Sequence, residues 1–243
     1  MLVLTNAWDA ASARVLEAAG FPAIATTSGG VANALGYEDH QGAPMGEMLA
    51  AAARITRAVS IPVTVDFEAG YGMAPQEIVQ RLIEAGAAGF NFEDSDHDAG
   101  SGLVDADAQA ERIAALKTAS GSAGVDLVLN ARVDVFVQRR GSFEEQVAEG
   151  LRRARLYKDA GADCVYPILL SDETAIAAFV EAVGPINLNV RPGGPLSLQR
   201  AAELGVRRVS YATSLYRAAM ASLESLATSI KGEVATLPTS ANP

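Results

Sequence analysis

The sequence predicts an α/β fold, and more narrowly a single-domain (β/α)8 TIM barrel. Short apolar, β-branched runs alternate about eight times with alanine-rich amphipathic stretches over the 243 residues. This alternation implies parallel strands joined by helical crossovers, because parallel neighbours cannot be linked by a tight hairpin. A length of about 250 residues is the ordinary size of one such barrel.

A doubly wound open sheet is the competing architecture. It more often uses roughly five to seven strands, and its dinucleotide-binding members carry a Gly-x-Gly-x-x-Gly turn after the first strand. No such turn follows the first apolar run here. The barrel is therefore favoured, and the missing fingerprint also argues against an NAD-linked enzyme.

The individual elements follow from the apolar runs and the helix signals. Strands are predicted at residues 2–4, 23–27, 62–68, 89–93, 126–133, 164–169, 186–190 and 208–212. Helices are predicted to begin near Asp9, Met45, Ala74, Asp105, Ser142, Ser171, Ser197 and Ser214. We assign residues 1–231 to the barrel and residues 232–243 to a flexible C-terminal tail.

Local chemistry marks both ends of several helices. Ser142 is followed three positions later by Glu145, which is the pattern of a capping box. Glycines at positions 20, 86, 161 and 205 stand where a helix ends in a left-handed residue before the next strand. These repeated signals support one repeating unit rather than two unlike domains.

The charge balance excludes some partners. The chain has 19 Lys and Arg against 29 Asp and Glu, a net charge of −10. Nucleic-acid binders and binders of anionic membranes normally present a basic face, so we expect neither partner. We also expect no signal peptide and no spanning segment. Cys164 is the single cysteine, which excludes an intramolecular disulfide, suits a cytoplasmic protein and is expected to be a buried core thiol.

The active site of a barrel lies at the C-terminal ends of its strands. Polar residues are concentrated at the predicted strand ends, namely Thr27, Ser28, Asp66, Glu68, Glu93, Asp94, Asn130, Arg132 and Asp134. Asp66 and Glu68 project to the same face because side chains alternate along a strand. Two such carboxylates in apolar surroundings are costly without a partner, so we interpret this pair as functional.

Converging carboxylates repel one another unless a cation is shared between them. An oxygen-only ligand set without a Cys/His cluster favours Mg²⁺ or Mn²⁺ over zinc. Arg132 is suited to a bidentate grip on a substrate carboxylate. Gly29 and Gly30, after Ser28, are expected to free backbone N–H groups for an oxyanion.

Several residues have a plainer interpretation. Asp94 and Asp134, taken singly, could equally cap a helix or solvate a loop. His97 is expected on solvated surface, with a role as an acid near a lid left open. Met45, Met48 and Met73 are expected to be packing residues.

On these residues the sequence resembles the isocitrate lyase and phosphoenolpyruvate mutase superfamily over nearly its whole length. Residues 66–72, Asp-Phe-Glu-Ala-Gly-Tyr-Gly, are similar to the Asp-x-Asp-x-Gly-Tyr-Gly metal motif, with Glu in the second acidic place. The acidic pair at 93–94, the segment Asn-Ala-Arg-Val-Asp at 130–134 and the loop Leu-Gly-Tyr-Glu-Asp at 35–39 also match.

The resemblance implies a Mg²⁺-dependent enzyme that acts on a small 2-oxo or 2-hydroxy carboxylate through a pyruvate-like enolate. Asp66, Glu68 and Glu93 would form the metal site, with water between some of them and the ion. The implied catalytic residues are Tyr37, Asp39, Glu93 and Arg132. The implied substrate-binding residues are Ser28, Gly29, Gly30, Arg132 and Asn189.

The resemblance also implies a homo-oligomer, a dimer or a tetramer built from dimers that exchange the last barrel helix. The stretch 214–230 has an apolar face formed by Leu215, Ala218, Ala219, Leu223 and Leu226. Burial of this face against its own barrel is the alternative.

The departures from the family pattern bear on the reaction. The loop at 95–104 has neither the cysteine of the lyases nor the lysine of the mutases, and Ile168 stands about where mutases have a histidine. Solvent, His97 or Ser101 would then protonate an enolate. We expect C–C cleavage of a small anionic carboxylate by a lyase or decarboxylase. The alternatives are P–C chemistry of the phosphoenolpyruvate mutase or phosphonopyruvate hydrolase type, and a non-catalytic relative that binds a metabolite.

Overall fold

All eight predicted strands are present in the computed structural model, which describes residues 1–97, 99 and 102–235. The strands are β1 Leu2–Ala7, β2 Ile24–Thr26, β3 Val63–Asp66, β4 Gly89–Glu93, β5 Val128–Val133, β6 Cys164–Pro167, β7 Asn187–Asn189 and β8 Arg208–Ser210. They lie in the order β6-β5-β4-β3-β2-β1-β8-β7, and every recorded strand pair is parallel.

The sheet closes between β6 and β7. Val165 and Ile186 form an isolated parallel bridge there, and the amide of Val165 donates to the carbonyl of Pro185 at 3.2 Å. The predicted (β/α)8 barrel is therefore confirmed as a single domain.

Helices follow the strands around the outside of the barrel. They are α1 Ala10–Ala18, α2 Ser28–Leu35, α3 Met45–Ala58, α4 Pro75–Glu84, α5 Ala106–Ser122, α6 Val135–Gln138, α7 Phe143–Asp159, α8 Glu173–Val183, α9 Leu198–Glu203 and α10 Ser214–Ala235. Helices α2 and α6 were not predicted. The α2 segment begins Ser-Gly-Gly, which has poor helix propensity, and α6 is only 4 residues long.

The predicted helix ends are confirmed. Ser142 Oγ accepts from the amide of Glu145 at 3.2 Å, while Glu145 Oε2 accepts from the amide of Ser142 at 2.7 Å. The four predicted glycines have φ of +88°, +78°, +101° and +85° at positions 20, 86, 161 and 205. Cys164 is buried, as expected.

The apolar core lies between the strands and the helices. Val65, Phe90 and Leu129 stand side by side in register and pack in this shell. Because side chains alternate along a strand, the next residues in register face the barrel interior. These include Asp66, Asn91 and Asn130, and Asn130 Nδ2 donates to Asn91 Oδ1 at 2.8 Å. The interior below the barrel mouth is therefore polar.

Helix α10 leaves the barrel after its first turn. Tyr216 packs edge-on against Trp8 with ring centroids 5.4 Å apart, but Leu223, Leu226 and Ile230 are 58%, 59% and 59% exposed. The alternative of burial against its own barrel is thus wrong for this half of the helix. The helix continues to Ala235, past residue 231, and residues 236–243 lie outside the described residues.

Within the described ranges, no helix has the length and apolar character needed to cross a membrane.

Candidate active site

The turn after β3 holds the first acidic pair in a strained backbone. Glu68 and Tyr71 have φ of +51° and +53°, a left-handed conformation that residues other than glycine adopt at a cost. The Asp66 carboxylate accepts from the amide of Ser28 at 3.1 Å and from Asn91 Nδ2 at 3.2 Å. Asp66 is thereby fixed at the inner edge of the mouth, where it faces neighbouring strands.

The segment Ser28-Gly29-Gly30, which we expected to free backbone N–H groups after β2, is the first turn of helix α2. Thr27 caps this helix, with Oγ1 accepting from the amide of Gly30 at 3.4 Å. A helix N-terminus directs unpaired N–H groups outward, which is compatible with the donor role predicted for this segment. Ser28 N–H is already bound to Asp66, and Gly29 N–H has no partner among the described residues.

The loop between α2 and α3 brings Asp39 to this helix terminus. A Cβ atom at Gly29 would lie 2.5 Å from Asp39 Oδ2 and 2.9 Å from Thr213 Oγ1. Only glycine fits this close approach without a shift. The structure therefore places Asp39 next to the α2 N-terminus, on the same side of the mouth as Asp66.

Glu68 is buried and held by two donors. The amide of Gln41 donates to Oε1 at 2.6 Å, and the Tyr71 hydroxyl donates to Oε2. Burial raises the pKa of Glu68, the bond from Tyr71 opposes this shift, and the charge of Asp66 adds to it. The site therefore carries negative charge that it does not fully compensate.

Glu93 and Arg132 are register partners on β4 and β5. Arg132 Nη1 lies 2.5 Å from Glu93 Oε2, and His97 Nε2 lies 2.6 Å from Glu93 Oε1. The Nη1 contact is an ion pair without hydrogen-bond alignment, so Oε2 lacks an aligned donor within the described ranges. Burial raises the pKa of Glu93 to about 8, although the charge of Arg132 opposes the shift.

Arg132 is locked from the other side by Asp134. Nε and Nη2 donate to the two carboxylate oxygens of Asp134 at 2.6 and 2.7 Å. A guanidinium has five N–H donors, so groups on Nη1 and Nη2 remain for a substrate carboxylate. The predicted role of Arg132 therefore has suitable geometry.

His97 is not on solvated surface, which corrects our expectation. Its side chain is 16% exposed and bonded to Glu93, and its ring centroid lies 5.9 Å from that of His40. The hydrogen bond that the protonated ring donates to Glu93 raises the pKa of His97, and burial opposes it. Sequence could not reveal this because Glu93 ends a strand whereas His97 lies in the loop that folds back over it.

Asp94 and Asp134 are fully buried, so neither solvates a loop nor caps a helix with its side chain. Asp94 Oδ1 accepts from the amide of Asp134 at 2.8 Å. Its Oδ2 accepts from Arg153 Nη1 at 3.0 Å and from the Tyr157 hydroxyl at 2.7 Å. Sequence reasoning missed Arg153 and Tyr157, whose spacing of four on α7 places them on one helix face.

Two predicted residues use their polar groups elsewhere. The Tyr37 hydroxyl donates to Glu47 Oε1 on α3 at 2.8 Å. Asn189 Oδ1, at the end of β7, accepts from the amide of Leu169 at 2.8 Å. The catalytic role of Tyr37 and the substrate-binding role of Asn189 stay predictions.

The acidic residues fit a hydrated divalent cation better than a fully coordinated one. No three His, Cys, Asp or Glu side chains in the described part of the chain are arranged to bind one ion directly. Mg²⁺, however, dehydrates reluctantly and is often held by one or two carboxylates with waters in the remaining positions. Asp66 and the undonated Glu93 Oε2 supply hard oxygen ligands of this kind.

Buried carboxylates and a fixed arginine lie together at the C-terminal ends of the eight parallel strands. This places the chain among the (β/α)8 barrels whose strand ends have the composition of an active site. The chain belongs to the phosphoenolpyruvate phosphomutase family, whose model matches residues 1–231. The predicted superfamily is thereby confirmed.

Relatives within the superfamily include lyases and mutases. A Burkholderia cenocepacia J2315 structure, provisionally assigned as a phosphonomutase, has a TM-score of 0.87 and 41% identity, covering 93% of each chain. The 2-methylisocitrate lyase of Escherichia coli K12 is 29% identical over 231 residues, which is 89% of this chain and 75% of that enzyme. A 2,3-dimethylmalate lyase structure has a TM-score of 0.84 and 28% identity, covering 100% of this chain and 87% of that one.

Proposed function

We propose that this protein is a divalent-metal-dependent lyase that cleaves a C–C bond of a small 2-oxo or 2-hydroxy dicarboxylate through a pyruvate-like enolate. The observation that carries the proposal is the placement of Arg132 between Glu93 and Asp134, with N–H groups left over, two strands along the mouth from Asp66. Arg132 would accept a substrate carboxylate, and Asp66 would hold a cation.

The metal site would be built on Asp66, with Glu93, Glu68 and Asp39 bonding its waters. Mg²⁺ or Mn²⁺, when bound, would supply positive charge against the substrate's carbonyl oxygen. Support comes from the raised pKa values of Glu68 and Glu93, since a group of buried carboxylates is short of positive charge.

The chain's own residues would bind and orient the substrate. Arg132 would grip one carboxylate through its free N–H groups, and Asp134 keeps the guanidinium from rotating. Gly29 N–H, at the positive end of α2, would donate to the oxygen on which enolate charge develops. This donor stabilises charge that appears only along the reaction, which is the condition for rate enhancement.

Carbon–carbon cleavage is favoured over P–C chemistry for two reasons. Ile168 has an apolar side chain about where the mutases of the superfamily have a histidine. The described part of the β4–α5 loop contains His97 and no lysine. Solvent or His97 would return a proton to the enolate carbon; Ser101, the third candidate, lies outside the described residues. The phosphonomutase assignment of the Burkholderia neighbour keeps P–C chemistry as the second candidate.

Oligomerisation is also part of the proposal. The outer half of α10 exposes Leu223, Leu226, Ile230 and Val234 at helical spacing. A contiguous exposed apolar stripe is typical of an interaction surface. A second copy of the chain, covering it by exchange of this helix, would form a dimer from which a tetramer is built.

A substrate panel tests the reaction. Oxaloacetate, 2-methylisocitrate, substituted malates, phosphonopyruvate and phosphoenolpyruvate are incubated with the protein, with and without Mg²⁺, and the products are identified by mass spectrometry. We expect C–C cleavage products only with metal. Turnover without metal, or P–C products alone, would overturn the proposal.

Two variants accompany this panel. Asp66→Asn removes the metal anchor and is expected to lower kcat/KM by about 100-fold or more, with Mg²⁺ binding weakened in calorimetry. Asp107→Asn, on the exposed first turn of α5, is the matched control. Metabolite binding without any turnover would instead favour the non-catalytic relative.

A further inference from the structure

Helix α5 contacts the backbone of both strand ends that carry the buried glutamates. Gln109 Nε2 donates to the carbonyl oxygen of Glu93 at 2.8 Å, and Arg112 Nη2 donates to the carbonyl oxygen of Ala69 at 3.0 Å. A spacing of three places Gln109 and Arg112 on one face of the helix. Ala69 directly follows Glu68, so each bond is made within one residue of a carboxylate proposed to bond the waters of the cation.

These contacts belong to a closed ring of hydrogen bonds. The amide of Glu93 donates to the carbonyl oxygen of Glu68 at 2.9 Å, which joins the two strand ends directly. Arg112 Nη1 donates to Gln109 Oε1 at 3.4 Å, which joins the two side chains of α5. The ring therefore runs from Gln109 through Glu93, Glu68 and Ala69 to Arg112 and back. It connects the backbones of both glutamates to one helix.

Arg112 is a cation that forms no ion pair with an acidic side chain among the described residues. Its guanidinium lies over the Phe92 ring, with the central carbon 4.7 Å from the ring centroid, which is a cation–π geometry. Burial lowers the pKa of Arg112, and no carboxylate opposes this shift. The stacked guanidinium is therefore free to direct its N–H groups to the Ala69 carbonyl and to Gln109.

The turn after β3 is enclosed on several sides. Glu68 and Tyr71 both have a left-handed φ, and such strain persists only where the surroundings over-determine the conformation. A Cβ atom at Gly70 would lie 2.8 Å from Ile78 Cδ1 and 2.9 Å from Phe92 Cε2, so α4 and β4 pack closely against the turn. Helix α5 adds a polar restraint to these apolar contacts.

We propose that Arg112 and Gln109 are positioning residues, which act through the backbone to hold the Glu68 and Glu93 carboxylates in a geometry suited to a hydrated divalent cation. Both act through another residue rather than as ligands of the ion. The inference rests on the proposed function, since that function assigns the two carboxylates to the waters of the cation. It makes the affinity of the mouth for the cation depend on a helix outside the mouth.

Arg112→Gln tests this role, and Lys117→Gln is the matched control. Lys117 lies on the same helix, and its Nζ also donates to a strand carbonyl, that of Leu127 at 3.2 Å. Its acidic partners, Asp126 and Asp163, precede β5 and β6 at the opposite end of the barrel. Mg²⁺ is titrated into the wild type and both variants by calorimetry, without substrate. We expect Arg112→Gln to weaken Mg²⁺ binding about 10-fold and Lys117→Gln to leave it unchanged.

Two further variants distinguish positioning from a general loss of stability. Gln109→Leu removes the donor to Glu93 and should weaken Mg²⁺ binding as Arg112→Gln does. Arg112→Lys keeps the charge and one donor but loses the planar fork, so its affinity should lie between those of Arg112→Gln and the wild type. Thermal unfolding verifies that each variant is folded at the temperature of the titration. Unchanged Mg²⁺ affinity in folded Arg112→Gln would overturn the inference.

Amide hydrogen exchange, measured without metal or substrate, separates this inference from the proposed function. The amide of Glu93, which donates to the Glu68 carbonyl, should exchange about 10-fold faster in Arg112→Gln than in Lys117→Gln. Faster exchange and weaker Mg²⁺ binding in a protein that cleaves no C–C substrate would refute the reaction and leave the inference standing. Equal exchange in the two variants would overturn the inference even if the reaction is confirmed. A wild type that binds no Mg²⁺ would overturn both.

Discussion

Arg132 and Asp134 form a side-on pair in which two guanidinium N–H groups meet the two oxygens of one carboxylate, at 2.6 and 2.7 Å. Arg132 lies near the end of β5 and Asp134 is the first residue after that strand, and both are buried. The remaining N–H groups of Arg132 consequently point in a fixed direction. Preorganisation of this kind reduces the entropy lost when a substrate carboxylate binds.

Asp134→Asn should damage both stability and activity. The amide keeps the shape but removes the charge that balances buried Arg132, and breaking a buried ion pair costs about 3–5 kcal/mol. We expect the free energy of unfolding to fall by about this amount, and kcat/KM to fall about 100-fold. Urea unfolding and steady-state kinetics measure the two effects. Glu173→Gln, which breaks an exposed pair with Arg200, is the control and should cost under about 1 kcal/mol.

Tyr157→Phe tests whether Asp94 helps to hold the Arg132–Asp134 pair in place. The lost hydroxyl bonds Asp94 Oδ2, while Oδ1 of the same carboxylate accepts from the backbone of Asp134. Removing one buried partner costs about 1–3 kcal/mol. We expect chemical denaturation to show that loss, with a smaller decrease in kcat/KM than in Asp134→Asn. An equal decrease in both variants would mean that Asp94 acts on the reaction directly.

Charges on the α10 stripe should disrupt assembly. Leu223→Glu combined with Leu226→Glu places two carboxylates on the exposed apolar face. If a second copy covers this face, light scattering should show a shift from oligomer to monomer. Glu224→Gln on the same helix is the control. A wild-type monomer at micromolar concentration would contradict the proposed exchange.

Cys164 should be unreactive in the native protein. Burial raises its pKa to about 11, so at pH 8 only about one thiol in a thousand is ionised. Alkylation by iodoacetamide should be slow until denaturant is added. Because the folded state holds this proton more tightly than the unfolded chain, its contribution to the free energy of unfolding falls as the pH rises from about 8.5 toward 11. Rapid native alkylation at pH 8 would contradict the burial of the thiol.

Elements that depend on local signals were predictable, whereas contacts between loops were not. The strands follow from apolar runs, and the Ser142 cap follows from a spacing of three. Helix α2 was missed because two glycines oppose helix formation locally, whereas Thr27 and the bond from Ser28 to Asp66 stabilise it.

The candidate site shows the same division. Asp66, Glu68, Glu93 and Arg132 were predicted from their positions at strand ends, and the structure brings them to one mouth. The engagement of Glu93 by both His97 and Arg132 depends on how a loop folds back over a strand. Glu93 and His97 are four residues apart, but this spacing indicates a contact only on a helix, and here a strand ends and a loop begins.

Val165 and Ile186 form the single bridge between β6 and β7, whereas β4 and β5 share five register pairs. The loops that border this seam are nevertheless held to the barrel by apolar packing, because Leu170 and Val190 are buried in the core. The barrel should therefore open first along this seam, and amide hydrogen exchange should be faster at Val165 than along the β4–β5 pair.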